Sequence, residues 1–294
     1  MIGGRDFGDT RAAAGPFPKP LMGPDGATRV LPARPRRIVS TYLGADELLA
    51  SLVDPSRVVG VSVYADDASA SNCLGVFPAG TARLRTDPET ILALDPDLVF
   101  VAGFTDADAL RQLLSAGLPV VRWSRFDSFR DIVEETRLAG AAVGGEERAA
   151  ALTDALERLL AELSARLAGA RRKRVLYYDP PTYTMGRETL LGEILSRAGA
   201  ANVVEEVGIV GPGEIGLETI LALDPEAIVM PRYVDNLSAL AALGATPLWQ
   251  QVPAVRAGRV HEIPGAWIAT VSHHAARGLA RVAELLHPEV FTRG

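Results

Sequence analysis

The sequence is short of the residues that most chemistry and several partner classes require. Cys73 is the one cysteine in 294 residues, so no disulfide can form within the chain and a cysteine-based zinc site is excluded. There is no surplus of basic charge: 30 Lys and Arg stand against 36 Asp and Glu, a net charge of −6. Without a dense Lys/Arg stripe to neutralise phosphates, the chain is a poor partner for nucleic acid. No apolar run approaches the ~18–20 residues needed to cross a bilayer. G-x-S-x-G, P-loop and H-E-x-x-H motifs are missing, which removes the commonest nucleophile, phosphate and zinc hypotheses. Aromatics are scarce, eight Phe, six Tyr and three Trp, so where they stand is informative.

What is present divides near residue 32. Residues 1–32 are rich in Gly, Pro, Asp and Arg without apolar periodicity, and an irregular N-terminal segment is expected there. This stretch lacks the apolar centre of a secretory signal, and Cys73 lies too far in to be a lipid-bearing first residue. Two localisations stay open: periplasmic or otherwise extracytoplasmic with a leader removed, or cytoplasmic. The remainder is long enough for one large domain or two of about 100–150 residues.

From Arg36 onward, short apolar runs alternate with amphipathic stretches. Residues 38–40, 58–63, 98–102 and 119–123 read as strands. Residues 46–53, 109–116 and 129–143 read as helices, the second stopped by Gly117. Inward positions are Leu48, Leu49, Leu52 and Val53 in the first helix, and Phe129, Ile132, Val133, Thr136 and Val143 in the third. The second half repeats this grammar, with strands expected at residues 175–178, 203–204, 227–230 and 260–263. Leu190, Leu191, Ile194, Leu195 and Ala198 line a helix ending at Gly199, and Leu279, Val282, Leu285 and Leu286 line a last one before Pro288. Strands that are apolar throughout are buried on both faces, and their alternation with helices implies parallel sheets.

The octapeptide Glu-Thr-Ile-Leu-Ala-Leu-Asp-Pro occurs at residues 89–96 and again at 218–225, each time before a strand. Such an identity at matching places indicates two homologous domains rather than a short-period solenoid. Residues 146–168 contain neither Gly nor Pro, and Leu152, Leu156, Leu159, Leu163 and Leu167 form a helical stripe. About 22 residues at 1.5 Å each span roughly 33 Å. The expected architecture is α/β: two Rossmann-like lobes with parallel sheets, residues 33–143 and 171–294, joined by one long α-helix within 144–170. A ligand cleft is expected between the lobes, with hinge motion limited by the helix.

Several segments carry a family resemblance. They are Asp25-Gly26, Val30-Leu31-Pro32, Pro35-Arg36-Arg37-Ile38-Val39, Asp95-Pro96-Asp97-Leu98-Val99, Gly186-Arg187-Glu188-Thr189-Leu190-Leu191, Ala198-Gly199-Ala200-Ala201-Asn202 and Leu285-Leu286-His287-Pro288-Glu289. In this order, over about residues 25–291, the chain resembles the helical-backbone (class III) substrate-binding proteins of ABC importers. The resemblance implies a protein that performs no chemistry and has no cofactor of its own. It would carry a bound metal chelate as its transported ligand, a ferric siderophore first, with haem and cobalamin as alternatives. The implied partners are an ABC permease and its ATPase, and the implied state is a monomer.

The residues themselves say where such a ligand would sit. In open parallel sheets the crevice lies beyond the carboxyl ends of the strands, and domain interfaces are favoured ligand sites. Just past the strands stand Tyr42, Tyr64, Phe104, Trp123 and Arg125 in the first half, and Tyr178, Tyr183, Arg232, Tyr233 and Trp267 in the second. Aromatic faces suit a large, flat, partly apolar ligand, and Arg forks suit its carboxylates or catecholate oxygens. Each aromatic taken singly is explained by packing at a strand end; the set points to a ligand. Tyr42, Trp123, Arg232, Tyr233 and Trp267 are the preferred five, while Arg125 and Arg187 are divided between ligand and surface.

Glu89 and Glu218 fall in the first turns of their helices, where the helix dipole alone favours a carboxylate. The resemblance gives them a second role, one acidic group per lobe docking onto permease arginines. Gly211-Pro212-Gly213-Glu214-Ile215-Gly216 fits G-x-G-x-x-G formally, but Pro212 removes a donor and the helix that follows is short, so a flexible cleft-side loop is expected. The Arg171-Arg172-Lys173-Arg174 run reads as a solvated charge cluster after the long helix. His273 is a candidate axial contact to haem or cobalt, set against plain solvation of a helix N-terminus. Adjacent His273 and His274 are expected to diverge, so no metal site is assigned. The alternative function is a tetrapyrrole or metal-cofactor-processing enzyme of chelatase type, for which His273 or Glu206 would supply the base or ligand.

Overall fold

Each residue of Leu98–Ala102 is buried, and alternate side chains enter different cores: Leu98, Phe100 and Ala102 one, Val99 and Val101 the other. That two-sided burial is why the strand has no polar position. In the computed structural model, which describes residues 7–233, 243 and 247–291, the chain divides into two units. One comprises Met1–Phe126 with Arg130–Ala155, the other Asp127–Phe129 with Leu156–Gly294.

Unit 1 carries a three-stranded antiparallel sheet, β1 (Arg11–Ala12), β2 (Lys19–Met22) and β3 (Thr28–Leu31). It is followed by β4 (Ile38–Ser40), β5 (Val58–Ser62), β6 (Ala82–Leu84), β7 (Leu98–Ala102) and β8 (Val120–Trp123). These five pair in parallel in the order β6-β5-β4-β7-β8. The helices are α1 (Leu43–Leu52), α2 (Pro88–Ala93), α3 (Ala107–Ser115), α4 (Phe129–Val143) and α5 (Glu146–Arg166). Leu48, Leu49 and Leu52 of α1 join Ala139, Ala142 and Val143 of α4 in one core. Ile91 of α2 and Leu110, Leu113 and Leu114 of α3 form the other. Each fully buried Leu, Ile or Val among them contributes about 1.5–3 kcal/mol. The division between units falls within α5, whose Leu156 and Leu163 are buried.

The N-terminal stretch is not irregular throughout, contrary to expectation. In β2 the burial alternates, with Lys19 and Leu21 inward. Lys19, 2% exposed, spends its ammonium on Ala141 O (2.6 Å), Glu146 Oε1 (2.7 Å) and the Phe17 ring (4.3 Å). A charged inward position breaks the apolar alternation that marks a strand in sequence, while Leu21 and Leu31 anchor the sheet to the unit 1 core.

Unit 2 contains β9 (Lys173–Tyr177), β10 (Tyr183–Met185), β11 (Ala200–Asn202), β12 (Pro212–Glu214), β13 (Ala227–Arg232) and β14 (Val260–Pro264), with α6 (Leu190–Arg197) and α7 (Leu217–Leu223). Strands β11-β9-β13-β14 form a parallel sheet, and β10 and β12 an antiparallel ribbon. Three local expectations change. Val203 and Val204 belong to a 3₁₀ turn, Val203–Val207, closed by Gly208 at φ 80°. The strand is the three residues before it, because both valines enter the core instead of alternating. The glycine-rich stretch is not a free loop, since Pro212–Glu214 pairs with Tyr183–Met185. The Arg171–Arg174 run is tied into the unit: Arg171 pairs with Glu226, Arg172 donates to Ala200 O, and Arg174 to Leu223 O (2.6 Å).

The octapeptide repeat extends into geometry. Both copies turn the chain at the same aspartate in the left-handed region, Asp95 at φ 47° and Asp224 at φ 45°. Arg37 donates to Leu94 O in unit 1 as Arg174 does to Leu223 O in unit 2. Asp97 accepts from Arg37 N (3.0 Å) and Glu226 from Arg174 N (2.8 Å). The same clasp thus locks each α2 or α7 to the start of its sheet's first strand.

Candidate functional site

Strand order reverses between β4 and β7 in unit 1 and between β9 and β13 in unit 2. Such switch points open a crevice at the carboxyl ends of the strands. That rule places the ligand residues expected from sequence, and the structure sorts them by accessibility.

In unit 1, Tyr42 follows β4 and meets Trp123 edge-to-face, with centroids 5.7 Å apart at 87°. Both are core side chains: Trp123 is 2% exposed and donates its Nε1–H to Arg125 O at 2.8 Å. The Tyr42 hydroxyl is buried without a hydrogen-bond partner. Burial, then the carboxyls of Glu135 and Asp46, push its pKa well above the usual range. The aromatic surface of this edge is instead Phe104, 77% exposed, and Tyr64, 53% exposed. Phe104 stands T-shaped to Phe126 at 6.5 Å. Arg125 is held by Glu134 at 2.8 Å.

Beneath this edge lie three carboxyls that sequence reasoning passed over. Asp46 and Glu47 are wholly buried and Glu135 is 5% exposed. Asp46 accepts from Ser62 Oγ (2.5 Å), and burial raises it to about 6. Glu47 accepts from Asn72 N (2.9 Å) and Nδ2 (2.8 Å). Burial raises Glu135 to about 7, against the pull of Arg125 and the N–H groups of Arg125 and Ser124. All three stand within amphipathic helices, where a carboxyl reads as solvent-facing; only the partners in distant segments reveal the burial.

In unit 2, Tyr178 is buried, tilted against Trp249 at 4.9 Å, with its hydroxyl on Pro181 O. Asp179 and Tyr183 exchange backbone hydrogen bonds, both 2.8 Å, and Asp179 Oδ2 accepts from Tyr233 Oη at 3.1 Å. Burial raises Asp179, and burial with the Asp179 charge raises Tyr233. Tyr178, Tyr183 and Tyr233 thus gather around Asp179, a residue not singled out in the sequence although it directly follows the strand expected at residues 175–178. Arg232 ends β13 exposed, and Trp267 is half-buried in the turn Gly265–Ile268 after β14. Arg187 is exposed, 3.8 Å from Glu188.

The two histidines do not diverge. They occupy the turn before helix Ala275–Leu286 rather than the helix itself, and their rings stack at 4.1 Å and 36°. Burial, then Arg277, lowers His274 to about 4, so it is neutral at pH 7. Glu206 is exposed and paired with Arg174. Among the described residues no three His, Cys, Asp or Glu side chains come together as a metal site, and no helix is long and apolar enough to cross a membrane. Glu89 and Glu218 are exposed in the first turns of α2 and α7. Asp87 caps the first, accepting from Thr90 N at 2.9 Å, while Gly216 precedes the second without a side-chain cap.

The sequence profile of the periplasmic binding proteins matches residues 38–266. The chain belongs to the periplasmic binding protein family. Within that family, a cobalamin-binding protein of Halobacterium salinarum is 26% identical over 275 residues, 91% of this chain and 74% of that protein. The iron(3+)-hydroxamate-binding protein of Escherichia coli is 24% identical over 286 residues, 82% of this chain and 94% of its own. The molybdate-bound periplasmic binding protein of Haemophilus influenzae superposes with a TM-score of 0.77 at 22% identity, over 90% of each chain. The expected α/β fold with parallel sheets, and the resemblance to ABC substrate-binding proteins, are borne out.

Proposed function

We propose that this chain is the extracytoplasmic, monomeric solute-capture component of an ABC importer for a metal chelate, delivering it to a permease driven by an ATPase. The observation that carries this reading is the placement of accessible aromatic and arginine side chains at the carboxyl edge of both parallel sheets in a member of this family. Tyr64 and Phe104 in unit 1, and Tyr183, Arg187, Arg232, Tyr233, Trp267 and His273 in unit 2, are the contacts assigned to the ligand; Tyr42, Trp123 and Tyr178 back them from within. A small oxoanion would need a tight polar socket, whereas broad rings suit a broad organic face. Among chelates, a corrinoid comes ahead of a ferric siderophore or haem, because the cobalamin-binding relative matches 91% of this chain.

Titration of the protein's tryptophan fluorescence with cyanocobalamin, a ferric hydroxamate and haemin tests this. One of the three should quench emission with a Kd below about 1 μM, and Phe104→Ala or Trp267→Ala should weaken it about tenfold, the loss of roughly 1.4 kcal/mol. Binding of the hydroxamate alone would change the cargo and keep the importer; no response to any chelate, with molybdate as control, overturns the reading.

The two exposed glutamates give a second expected result. Glu89→Ala with Glu218→Ala should leave chelate affinity unchanged while lowering permease-coupled uptake several-fold, since rim charges act on association and orientation. A collapse of chelate affinity in that double variant would place the carboxylates on the ligand surface instead.

A further inference from the structure

At the edge of the unit 1 sheet where the strands begin, opposite Tyr42 and Phe104, lies a cavity of about 860 Å³. Four guanidiniums line it: Arg34 and Arg36 ahead of β4, Arg57 ahead of β5, and Arg148 in the first turn of α5. None of the four forms an ion pair among the described residues, although the chain as a whole is acidic, at net charge −6.

Of the three carboxylates on the same wall, Glu146 is committed elsewhere. Glu146 Oε1 accepts from Lys19 Nζ at 2.7 Å and Gly15 N at 3.3 Å. Asp54 Oδ1 accepts from Ser56 N at 2.9 Å, and its charge offsets part of that of Arg148 and Arg57. Glu147 stands exposed on the rim. Arg57 is fixed in place, donating from Nε to Pro35 O and from its terminal nitrogen to Val143 O, both at 2.7 Å. Burial, then the Arg34 charge, lowers its pKa, with Arg148 acting in the same direction against Asp97 and Asp54. With Glu146 paired to Lys19, four guanidiniums face Asp54 and Glu147, and positive charge is in excess at this wall.

Ordinary surfaces intersperse charges of both signs, and like charges converging on a concavity repel unless an anion sits among them. Guanidinium forks match phosphate oxygens two at a time. The volume falls in the range of small-molecule sites and exceeds what a bare phosphate fills, leaving room for an esterified group. The strands separate this cavity from the aromatic edge by about 10–17 Å, at roughly 3.3 Å per residue. We propose that this arginine-lined cavity binds a phosphate group, borne by a soluble phosphate or by the headgroup of an anionic lipid, independently of the chelate.

Two probes applied to the full chain separate the sources: equilibrium dialysis against labelled inorganic phosphate, and cosedimentation with phosphatidylcholine vesicles with and without phosphatidylglycerol. The comparison protein is the triple variant Arg34→Gln, Arg36→Gln, Arg148→Gln; Arg57 is retained because it holds two backbone carbonyls. Phosphate binding that falls at least about tenfold in the variant, and weakens with salt as the Debye length shortens from about 10 Å at 0.1 M, supports the site and a soluble ligand. A similar loss of binding to the phosphatidylglycerol vesicles alone supports the site and a lipid ligand. Binding to neither probe, or equal binding by both proteins, overturns the proposal. An unchanged melting temperature and chelate titration establish that the variant is folded; should it unfold, Arg148→Gln alone, at an exposed position, should still weaken binding about threefold.

Discussion

Trp123→Ala should lower the unfolding free energy of unit 1 by about 3–5 kcal/mol, the usual consequence of deleting a large aromatic from a filled core. The side chain is 2% exposed and packs in the cluster that also holds Tyr42, Phe100 and Ala102. Its removal takes away an edge-to-face partner of Tyr42 and an indole donor, leaving Arg125 O without that hydrogen bond. A cavity of that size beneath the edge would also let Tyr42 shift, so chelate affinity should fall as a secondary effect. Trp267→Ala should behave in the opposite way: a half-buried side chain on a short turn carries under about 1.5 kcal/mol of stability, while chelate affinity should fall about tenfold. Urea melts followed by circular dichroism, paired with chelate titrations, separate the two. A Trp123→Ala protein of ordinary stability that no longer binds chelate would mean that Trp123 faces the ligand after all.

That contrast marks where sequence reasoning was strong and where it ran out. Periodicity located Phe129–Val143 to the residue, because its apolar positions fall on one helical face and nothing competes with that pattern. The turn at Gly199, φ 78°, was equally legible, since a glycine just past a helix's last apolar position is a common left-handed stop. The octapeptide was legible as a repeat, though not the Arg37 and Arg174 clasps, which join segments far apart in sequence. At the candidate site, position relative to a strand end was readable and depth was not. Tyr42 and Tyr64 both follow strands, yet one is buried and the other is 53% exposed. The difference depends on what covers each, Trp123 in the first case, and that is a tertiary fact. Charged residues misled most. Lys19, Asp46 and Glu135 are inward because partners in distant segments receive them, and a single charged letter carries no trace of such a partner.

Glu135 gives the other large effect, a loss of stability as pH rises. Its carboxyl ionises near 4.5 in an unfolded chain and near 7 in the folded one. Below about pH 4.5 both states hold the proton. Between about 4.5 and 7 the unfolded chain has released it while the folded protein keeps it, so the folded state binds more protons and unfolding becomes easier as pH rises. Above about 7 the loss is complete, at roughly 3 kcal/mol. Asp46, raised from 3.8 to about 6, acts in the same direction over a lower window. The groups facing Glu135 set the size: Arg125 and the N–H groups of Arg125 and Ser124 favour its charge, Asp9 opposes it, and burial exceeds them all. Glu135→Gln keeps the shape and has no proton to lose. It should match the parent protein at pH 5 and exceed its stability by about 2–3 kcal/mol at pH 8, measured by urea melts at both values. An equal difference at the two pH values would mean that the folded protein already holds Glu135 ionised. The carboxyl also acts electrostatically on the unpartnered Tyr42 hydroxyl. Ionisation there therefore places charge directly beneath the aromatic edge, and any dependence of chelate affinity on pH between 6 and 8 should disappear in the same variant.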